Sequence, residues 1–261
     1  KYVDSIHGND SGDGSEENPY ATIDKAIEAL NSIEAERKII VIAGEYELSN
    51  FAAHSGLITI KGADETAKLN INSNVTLNGG DIKIENIILY YKSNGNYILQ
   101  NGNELILGAG VTTAGASGDW SAFQPNLGTG GRYASGTYTN IHKTTINSGD
   151  YYRHMIGDSA ITTGVTRTVP GVEYTINNGY VYNILIGGDG WSGTWGTNKF
   201  SGDINLVFNG GRVGTVSLSG YTTYFEGGVD FGGNAVQILC NDGTTPNVTF
   251  TADNVEEKNG S

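Results

Sequence analysis

A run of ionisable and aromatic residues near the middle of the chain is the best sequence candidate for acid–base chemistry. Tyr151, Tyr152, Arg153 and His154 are consecutive, and Asp158 follows closely. A strand would place Tyr151 and Arg153 on one face and His154 on the other. Arg153, His154 and Asp158 could then serve a lyase, which needs a base and a cation beside a uronate. The alternative is a solvated strand face with stacked tyrosines.

The three tryptophans indicate sugar binding, because all of them lie in glycine-rich stretches beside polar residues. A flat indole ring stacks on a pyranose face, and neighbouring carboxylates or amides bind the hydroxyl groups. The residues that predict such contacts are Asp119, Trp120, Tyr151, Asp189, Trp191 and Trp195. The alternative is that these tryptophans fold back to cover apolar surface.

An acidic segment near the N-terminus is the candidate for a metal site. Asn9, Asp10 and Asp13 supply closely spaced oxygen atoms, which are the ligands that Ca²⁺ prefers. The spacing differs from that of an EF-hand loop. We therefore predict either a Ca²⁺ site or an ordinary acidic turn.

Composition excludes several classes of partner. Lys and Arg total 15 against 28 Asp and Glu, so the net charge is −13. This charge argues against a nucleic-acid or anionic membrane partner. No apolar run reaches the length of about 20 residues that crosses a bilayer. The single cysteine, Cys240, excludes an intrachain disulfide.

Short strands must position these residues, since the helix signal is confined to one segment. Residues 22–30 carry apolar side chains at helical spacing, and Thr22 can cap the N-terminus. Beyond residue 38 the pattern alternates between apolar and polar residues over short runs. Strand groups near positions 58, 82 and 105 recur at nearly equal intervals. This period is typical of a β-solenoid, whose coils bury their apolar faces only by stacking.

A tetrapeptide repeat supports the same interpretation. An apolar residue followed by an Asn-x-Gly turn occurs at 146–149, 176–179 and 208–211, with an earlier copy at 77–80. The turn requires a positive φ, and stacked asparagines could form an amide ladder. The alternative is a β-sandwich with many Asn-Gly hairpins.

The N-terminal segment resembles the opening of pectin-lyase-like right-handed parallel β-helix proteins. The resemblance rests on Tyr2-Val3-Asp4, Gly8-Asn9-Asp10, Gly12-Asp13-Gly14-Ser15 and Asn18-Pro19-Tyr20-Ala21-Thr22-Ile23. It implies a first strand, a polar loop and a short helix that covers the open end of the coil. The later Asn-x-Gly repeats are similar to those of surface proteins from Gram-positive gut bacteria. The Gly-His-Gly and Arg-Ile-Lys tripeptides of the superfamily's polygalacturonases are absent.

We therefore predict an all-β chain that forms a right-handed parallel β-helix with a short N-terminal capping α-helix. Residues 1–253 would form one domain, with a strand, loop and cap in 1–37, coils in 38–253 and a polar tail in 254–261. The predicted function is a non-catalytic secreted or cell-surface module that binds polysaccharide or serves as an adhesin segment. It would belong to a larger multidomain surface protein. A polysaccharide lyase or glycoside hydrolase acting on uronates is the alternative, and an assembly role is a third.

Overall fold

A computed structural model describes most of the chain. The described residues are 1–91, 97–100, 102–115, 126–128, 135–159, 163–187, 196–213, 229–231, 236–238 and 248–252. They form short strands and one helix, as the composition and alternation predict.

The first part of the chain contains β1 (Tyr2–Asp4), α1 (Ile23–Asn31), β2 (Lys38–Ala43), β3 (Glu45–Glu47), β4 (Leu57–Gly62), β5 (Lys68–Ile71), β6 (Val75–Thr76), β7 (Asp81–Glu85) and β8 (Ile88–Tyr91). The middle part contains β9 (Tyr97–Leu99), β10 (Glu104–Leu107), β11 (Thr112–Gly115), β12 (Asn126–Gly128), β13 (Gly136–Thr137), β14 (His142–Ile146), β15 (Asp150–Ser159) and β16 (Thr166–Val169). The last part contains β17 (Val172–Ile176), β18 (Tyr180–Gly187), β19 (Thr197–Phe200), β20 (Ile204–Phe208), β21 (Gly211–Val213), β22 (Val229–Phe231), β23 (Val236–Ile238) and β24 (Val248–Ala252).

The strands form four sheets. The nine-stranded sheet has the order β1-β2-β4-β7-β10-β14-β17-β20-β24, and the four-stranded sheet has the order β11-β8-β5-β3. The eight-stranded sheet has the order β22-β21-β18-β15-β12-β9-β6, with β23 also pairing β18, and the three-stranded sheet has the order β13-β16-β19.

Within the described residues, every strand pair is parallel. The prediction of an all-β chain with parallel strands is therefore confirmed. The sandwich alternative is wrong, because hairpins join antiparallel strands.

The strand register confirms both predicted periods. Ile58 lies opposite Ile82, and Ile82 lies opposite Leu105, as their nearly equal spacing in the sequence predicts. Ile146, Ile176 and Phe208 form a second column, which follows the spacing of the tetrapeptide repeat. Because inward residues alternate along each strand, residues of the same type stack and exclude water. The five aliphatic side chains of these columns and Phe208 are fully buried.

The Asn-x-Gly turns stack as the repeat predicts. The Asn177 side-chain amide donates to Oδ1 of Asn147, and the Asn209 amide donates to Oδ1 of Asn177, both at 2.7 Å. Gly149, Gly179 and Gly211 all have positive φ. The amide ladder expected from the sequence is therefore present in these three turns.

The fourth proposed copy, at 77–80, is a different turn. Leu77 follows β6, which belongs to the eight-stranded sheet, whereas Ile146 ends a strand of the nine-stranded sheet. Asn78 donates its side-chain amide to the Phe51 carbonyl at 2.8 Å instead of joining the ladder. The member of the column that precedes Ile146 is Leu107. The prediction that the 77–80 turn belongs to the ladder is wrong, because turns in different parts of the fold use the same residue types.

The helix α1 lies one residue later than the predicted 22–30 segment. Its apolar face, formed by Ile23, Ala26, Ile27 and Leu30, is buried in the main hydrophobic cluster. Thr22 accepts a hydrogen bond from the Lys25 backbone amide at 3.2 Å and so caps the N-terminus. No helix in the described part of the chain is long and apolar enough to cross a membrane.

Candidate functional site

The predicted tryptophan platform lies outside the described residues. This applies to Asp119, Trp120, Asp189, Trp191 and Trp195. Their proposed contacts with sugars stay predictions.

The predicted Tyr151 contact with a ligand is wrong, because Tyr151 is a core residue. Its side chain is fully buried, and its hydroxyl donates to the Ser148 carbonyl at 3.1 Å. Burial raises the pKa of the Tyr151 phenol well above its usual value, so the hydroxyl stays protonated. A ring enclosed in this way has no face for a sugar.

The strand that carries the acid–base candidates has an irregular register. Tyr151 lies opposite Val181, but His154 lies opposite Asn183, so β15 contains an extra residue between these pairs. Strict alternation therefore does not relate Tyr151 to the residues that follow it, because a bulge interrupts the period of two. The side chains of Arg153, His154 and Asp158 lie outside the described part of the structure.

The acidic N-terminal loop uses its oxygen atoms to fix its own backbone. Asn9 Oδ1 accepts hydrogen bonds from the backbone amide and the hydroxyl of Ser11 at 3.0 and 2.9 Å. Asp13 Oδ1 accepts one from the Ser15 amide at 2.9 Å, and this bond lowers the pKa of the Asp13 carboxyl. Among the described residues, no group of three or more His, Cys, Asp or Glu side chains is arranged to hold a metal. Calcium binding by this loop stays a prediction.

Asp10 connects the loop to the helix. Its Oδ1 accepts hydrogen bonds from the backbone amides of Ala21 and Thr22 at 2.9 and 3.0 Å. Its Oδ2 accepts one from the Thr22 hydroxyl at 3.0 Å. Asp10 therefore orients the residue that caps α1, which is a structural role.

An aromatic and polar row lies on the outer face of the four-stranded sheet. Glu47, Asn70 and Tyr90 occupy equivalent positions on β3, β5 and β8, and we call them the Tyr90 row. Tyr90 points outward because its neighbours Leu89 and Tyr91 are buried in the core. Asn70 is buried, with 5% of its surface exposed, and its side-chain amide donates to Glu47 Oε1 at 3.4 Å. The Tyr90 row therefore places an aromatic ring, an amide and a carboxylate on adjacent strands.

An ion pair borders the Tyr90 row. Lys68 Nζ lies 2.5 Å from Glu45 Oε1 and 5.3 Å from the centroid of the Tyr90 ring. The second distance is within the range of a cation–π contact. Lys68 therefore contacts one side of the Tyr90 ring, and Glu45 neutralises the charge of Lys68.

A cleft adjoins the Tyr90 row at Glu47. It holds about 170 Å³ between the start of α1 and the chain that follows β3. We call it the helix cleft, and its lining residues are Ala21, Thr22, Ile23, Asp24, Tyr46, Glu47, Leu48, Ser49, Asn50 and Phe51. Asp24 Oδ1 accepts a hydrogen bond from the Ala52 amide at 3.3 Å, which fixes the carboxylate at the cleft wall. The helix cleft and the Tyr90 row together offer an apolar floor, hydrogen-bonding oxygens and the outward ring of Tyr90.

A second polar cluster is enclosed in the core. The rings of Tyr138 and His142 are 5.0 Å apart at 75°, and the Arg167 guanidinium lies 4.8 Å from the Tyr138 ring centroid. The Gln100 amide donates to the Lys143 carbonyl at 2.5 Å. His142 and Arg167 are fully buried, and burial, with the charge of Arg167, lowers the pKa of His142 to about 3. His142 is therefore neutral near pH 7.

This buried cluster lies where the length of chain between paired strands changes. Leu105 lies opposite Thr144, so the chain between these neighbouring strands is much longer than the chain between Ile82 and Leu105. The Gln100 amide also donates to the Thr144 hydroxyl at 2.6 Å and so satisfies polar groups near the start of β14. We interpret the cluster as a structural feature of this junction.

Sequence reasoning missed the Tyr90 row. Alternation along Ile88–Tyr91 does indicate that Tyr90 points outward. The sequence lacked a signal for its neighbours, because the separation between Glu47 and Asn70 differs from that between Asn70 and Tyr90. The three residues are therefore separated by unequal lengths of chain.

Comparison with known proteins gives one match. The model of a family described as a protein of unknown function (DUF1565) matches residues 6–53, and this family is associated with parallel β-helix proteins. The matched segment contains α1 and every residue that lines the helix cleft. It is less than a quarter of the 261-residue chain. No curated protein and no solved structure matches the chain.

Proposed function

We propose that the chain winds as a right-handed parallel β-helix. The order of the strands supports this: β4 to β10 visit the nine-stranded, four-stranded and eight-stranded sheets in turn, and each circuit pairs with the previous one. From β14 to β20 the visits are to the nine-stranded, eight-stranded and three-stranded sheets. Crossovers between parallel strands of one sheet are nearly always right-handed.

In the same proposal, α1 covers the N-terminal end of the coil. An uncovered solenoid end would expose apolar side chains and an open strand edge. The apolar face of α1 is buried in the core, and Tyr20 forms a parallel bridge with Val3 on β1. The proposed domain is residues 1–253, followed by the polar tail of residues 254–261.

The proposed function is non-catalytic binding of polysaccharide by a secreted or cell-surface module, which belongs to a larger multidomain surface protein. The observation that carries this proposal is the outward Tyr90 ring beside Asn70 and Glu47, continuous with the helix cleft. Sugar rings present an apolar face to an aromatic side chain such as Tyr90, and their hydroxyls donate to carboxylates such as that of Glu47, while the buried Asn70 supports Glu47 from below. An extended chain of sugars would contact the Tyr90 row and enter the helix cleft at Glu47.

A binding measurement with purified variants tests the proposal. We expect Tyr90→Ala to weaken retention on an insoluble polysaccharide by about 5- to 10-fold, since an aromatic contact contributes ~1 kcal/mol. Tyr2→Ala is the matched control, because Tyr2 is a partly exposed tyrosine on β1 of another sheet. Equal losses in the two variants, or no loss in Tyr90→Ala, would refute binding at the Tyr90 row.

The lyase or hydrolase alternative has one observation in its favour. The register of β15 shifts between Tyr151 and His154, and again between Ile156 and Ser159. Bulges of this kind are over-represented next to active sites. Release of unsaturated uronate from pectin or a glycosaminoglycan, followed by its absorbance, would establish this alternative.

A further inference from the structure

Three Asn-Gly dipeptides lie wholly within the described part of the chain, at 78–79, 178–179 and 209–210. Asparagine is a chemically labile residue, and a following glycine increases its reactivity because glycine has no side chain to hinder an approach to its backbone nitrogen. The sequence alone therefore makes all three asparagines candidates for deamidation. Their surroundings in the fold distinguish them.

Two of the three side chains are held by hydrogen bonds. Asn78 donates its side-chain amide to the Phe51 carbonyl at 2.8 Å. Asn209 donates its side-chain amide to Asn177 Oδ1 at 2.7 Å, within the amide ladder. Each of these bonds must break before the side-chain carbonyl carbon can turn towards the next backbone nitrogen, and this requirement slows the reaction.

Asn178 has no such restraint. It follows Asn177, which occupies the ladder position of the same turn, and its own side chain is exposed. Among the described residues, neither the Asn178 side chain nor the Gly179 backbone amide has a hydrogen-bond partner. The two groups that must react are therefore both available without a prior change in the fold.

We propose that Asn178 is a site of spontaneous deamidation in the folded protein. The Gly179 backbone nitrogen loses its proton and attacks Cγ of Asn178, so that a cyclic imide forms and the side-chain nitrogen leaves as ammonia. Water then opens either carbonyl of the imide, which gives aspartate or isoaspartate. The net change is the addition of one water molecule and the loss of one ammonia molecule, without an oxidant or reductant.

The turn is poorly suited to the isoaspartyl product, in which the main chain runs through the side chain of residue 178 and is one atom longer. The Gly179 carbonyl accepts a hydrogen bond from the Arg212 amide at 2.8 Å, and the Tyr180 amide donates to the Gly149 carbonyl at 2.9 Å. These bonds hold the turn between its two neighbours, and a Cβ atom on Gly179 would lie 2.4 Å from the Gly149 carbonyl oxygen. A longer backbone therefore disturbs the stack of turns, and deamidation lowers the stability of the fold.

Peptide mapping of protein kept folded at mildly alkaline pH tests the proposal. Trypsin places the three asparagines on separate peptides, 69–83, 168–199 and 200–212. Fragment-ion mass spectrometry follows, in each peptide, the gain in mass that accompanies conversion of an amide into a carboxylate. We expect the rate at Asn178 to exceed the rates at the other two asparagines by about fivefold or more, which is the effect of one net hydrogen bond.

Unfolded protein and one variant supply the controls. In urea the hydrogen bonds of the fold are lost, so the three rates should converge. Asn178→Gln keeps the amide but must form a larger ring to react, so the gain in mass of peptide 168–199 should disappear. The urea midpoint of the wild type should fall as the folded protein ages, whereas that of Asn178→Gln should stay constant.

Three outcomes would overturn the proposal. The first is a rate at Asn178 that does not exceed the other two in folded protein. The second is an equal gain in mass of peptide 168–199 in wild type and Asn178→Gln, which would place the reaction at another residue. The third is the same ratio of rates in folded and unfolded protein, which would assign the preference to the local sequence instead of the fold. The test involves no carbohydrate, so its result is independent of the proposed function.

Discussion

At the scale of single residues, the most consequential group is the enclosed His142. Neither of its ring nitrogens has a hydrogen-bond partner among the residues that the structure describes, and its neighbours include the buried Arg167. Buried polar atoms of this kind are costly, and a buried charge would cost far more. The fold therefore tolerates the imidazole only while it is uncharged.

This arrangement predicts a loss of stability in acid. Burial lowers the pKa of His142 to about 3 in the folded chain, while an ordinary histidine titrates near 6.5. Between these two values the unfolded chain binds more protons, so the free energy of unfolding falls as the pH drops. We expect up to about 2 kcal/mol of stability to be lost between pH 7 and pH 5 from this residue.

Urea unfolding at both pH values checks this prediction. His142→Gln removes the titrating group and should reduce the difference between pH 7 and pH 5. His7→Gln is the control, because His7 lies on an exposed loop and should leave the difference intact. An unchanged pH dependence in His142→Gln would contradict the assignment.

At the scale of elements, the stacked turns depend on glycines that have no room for a side chain. Gly179 has a φ of 95°, and a Cβ atom there would lie 2.4 Å from the Gly149 carbonyl oxygen. Gly56 has a φ of 70°, but among the described residues no atom lies within 4 Å of a Cβ added there. Comparing substitutions at the two positions therefore distinguishes the cost of backbone strain from the cost of a clash with the neighbouring turn.

We expect Gly179→Ala to destabilise the chain more than Gly56→Ala. Both substitutions force alanine into the left-handed region, at a cost of about 1 kcal/mol. Gly179→Ala must also displace the adjacent turn, which adds roughly 1–3 kcal/mol. Equal unfolding midpoints in chemical denaturation would show that the turns are not stacked in solution.

The amide ladder gives a second prediction at this scale. Asn177 donates to one neighbour and accepts from the other, so Asn177→Ala removes both bonds of the ladder. We expect a loss of about 1–3 kcal/mol in the free energy of unfolding. Asn178→Ala, at the exposed next position, should cost less than about 0.5 kcal/mol. A similar cost for both variants would contradict a specific role for the ladder.

At the scale of the whole molecule, the parallel register can be tested by cross-linking. Thr145 lies opposite Thr175 on the outer face of the nine-stranded sheet, and Thr175 lies opposite Val207. Adjacent strands are about 4.8 Å apart, which is within the range that a disulfide spans, whereas twice that distance is not.

In a background with Cys240→Ser, we expect Thr145→Cys with Thr175→Cys to form a disulfide under mild oxidation. Thr145→Cys with Val207→Cys should stay reduced, since an intervening strand separates the two positions. Free-thiol titration distinguishes the pairs. Cross-linking of the second pair in preference to the first would contradict the register and the proposed coil.

Much of the architecture was predictable because local chemistry repeats along the chain. Alternating aliphatic residues, the apolar stripe of α1 and the Asn-x-Gly turns each indicate an element without knowledge of the others. The columns at Ile58, Ile82 and Leu105 followed from intervals that are nearly constant. Where the interval is constant, neighbours in space can be counted along the sequence.

Prediction failed where the spacing between paired strands is unequal or the strand is irregular. The turn at 77–80 resembles the ladder turns but occupies another corner of the fold. The sequence predicted Tyr151 to be a surface aromatic residue, yet its ring is buried and its hydroxyl donates a hydrogen bond to the Ser148 carbonyl. In both cases the local sequence is compatible with two environments, and packing between strands that are distant in the sequence selects one.

The sequence by itself determined the strand-rich composition, the helix with its buried face and the spacing of the repeated turns, because these depend on residues that are close in the chain. Only the tertiary structure decided that Glu47, Asn70 and Tyr90 lie side by side, and that Gln100 contacts Thr144. The physical reason is that contacts between strands far apart in the sequence depend on packing, and the length of chain between them varies. Loops of different length are compatible with the same column, as between Ile58 and Ile82 and between Ile82 and Leu105, so strand packing selects the partners.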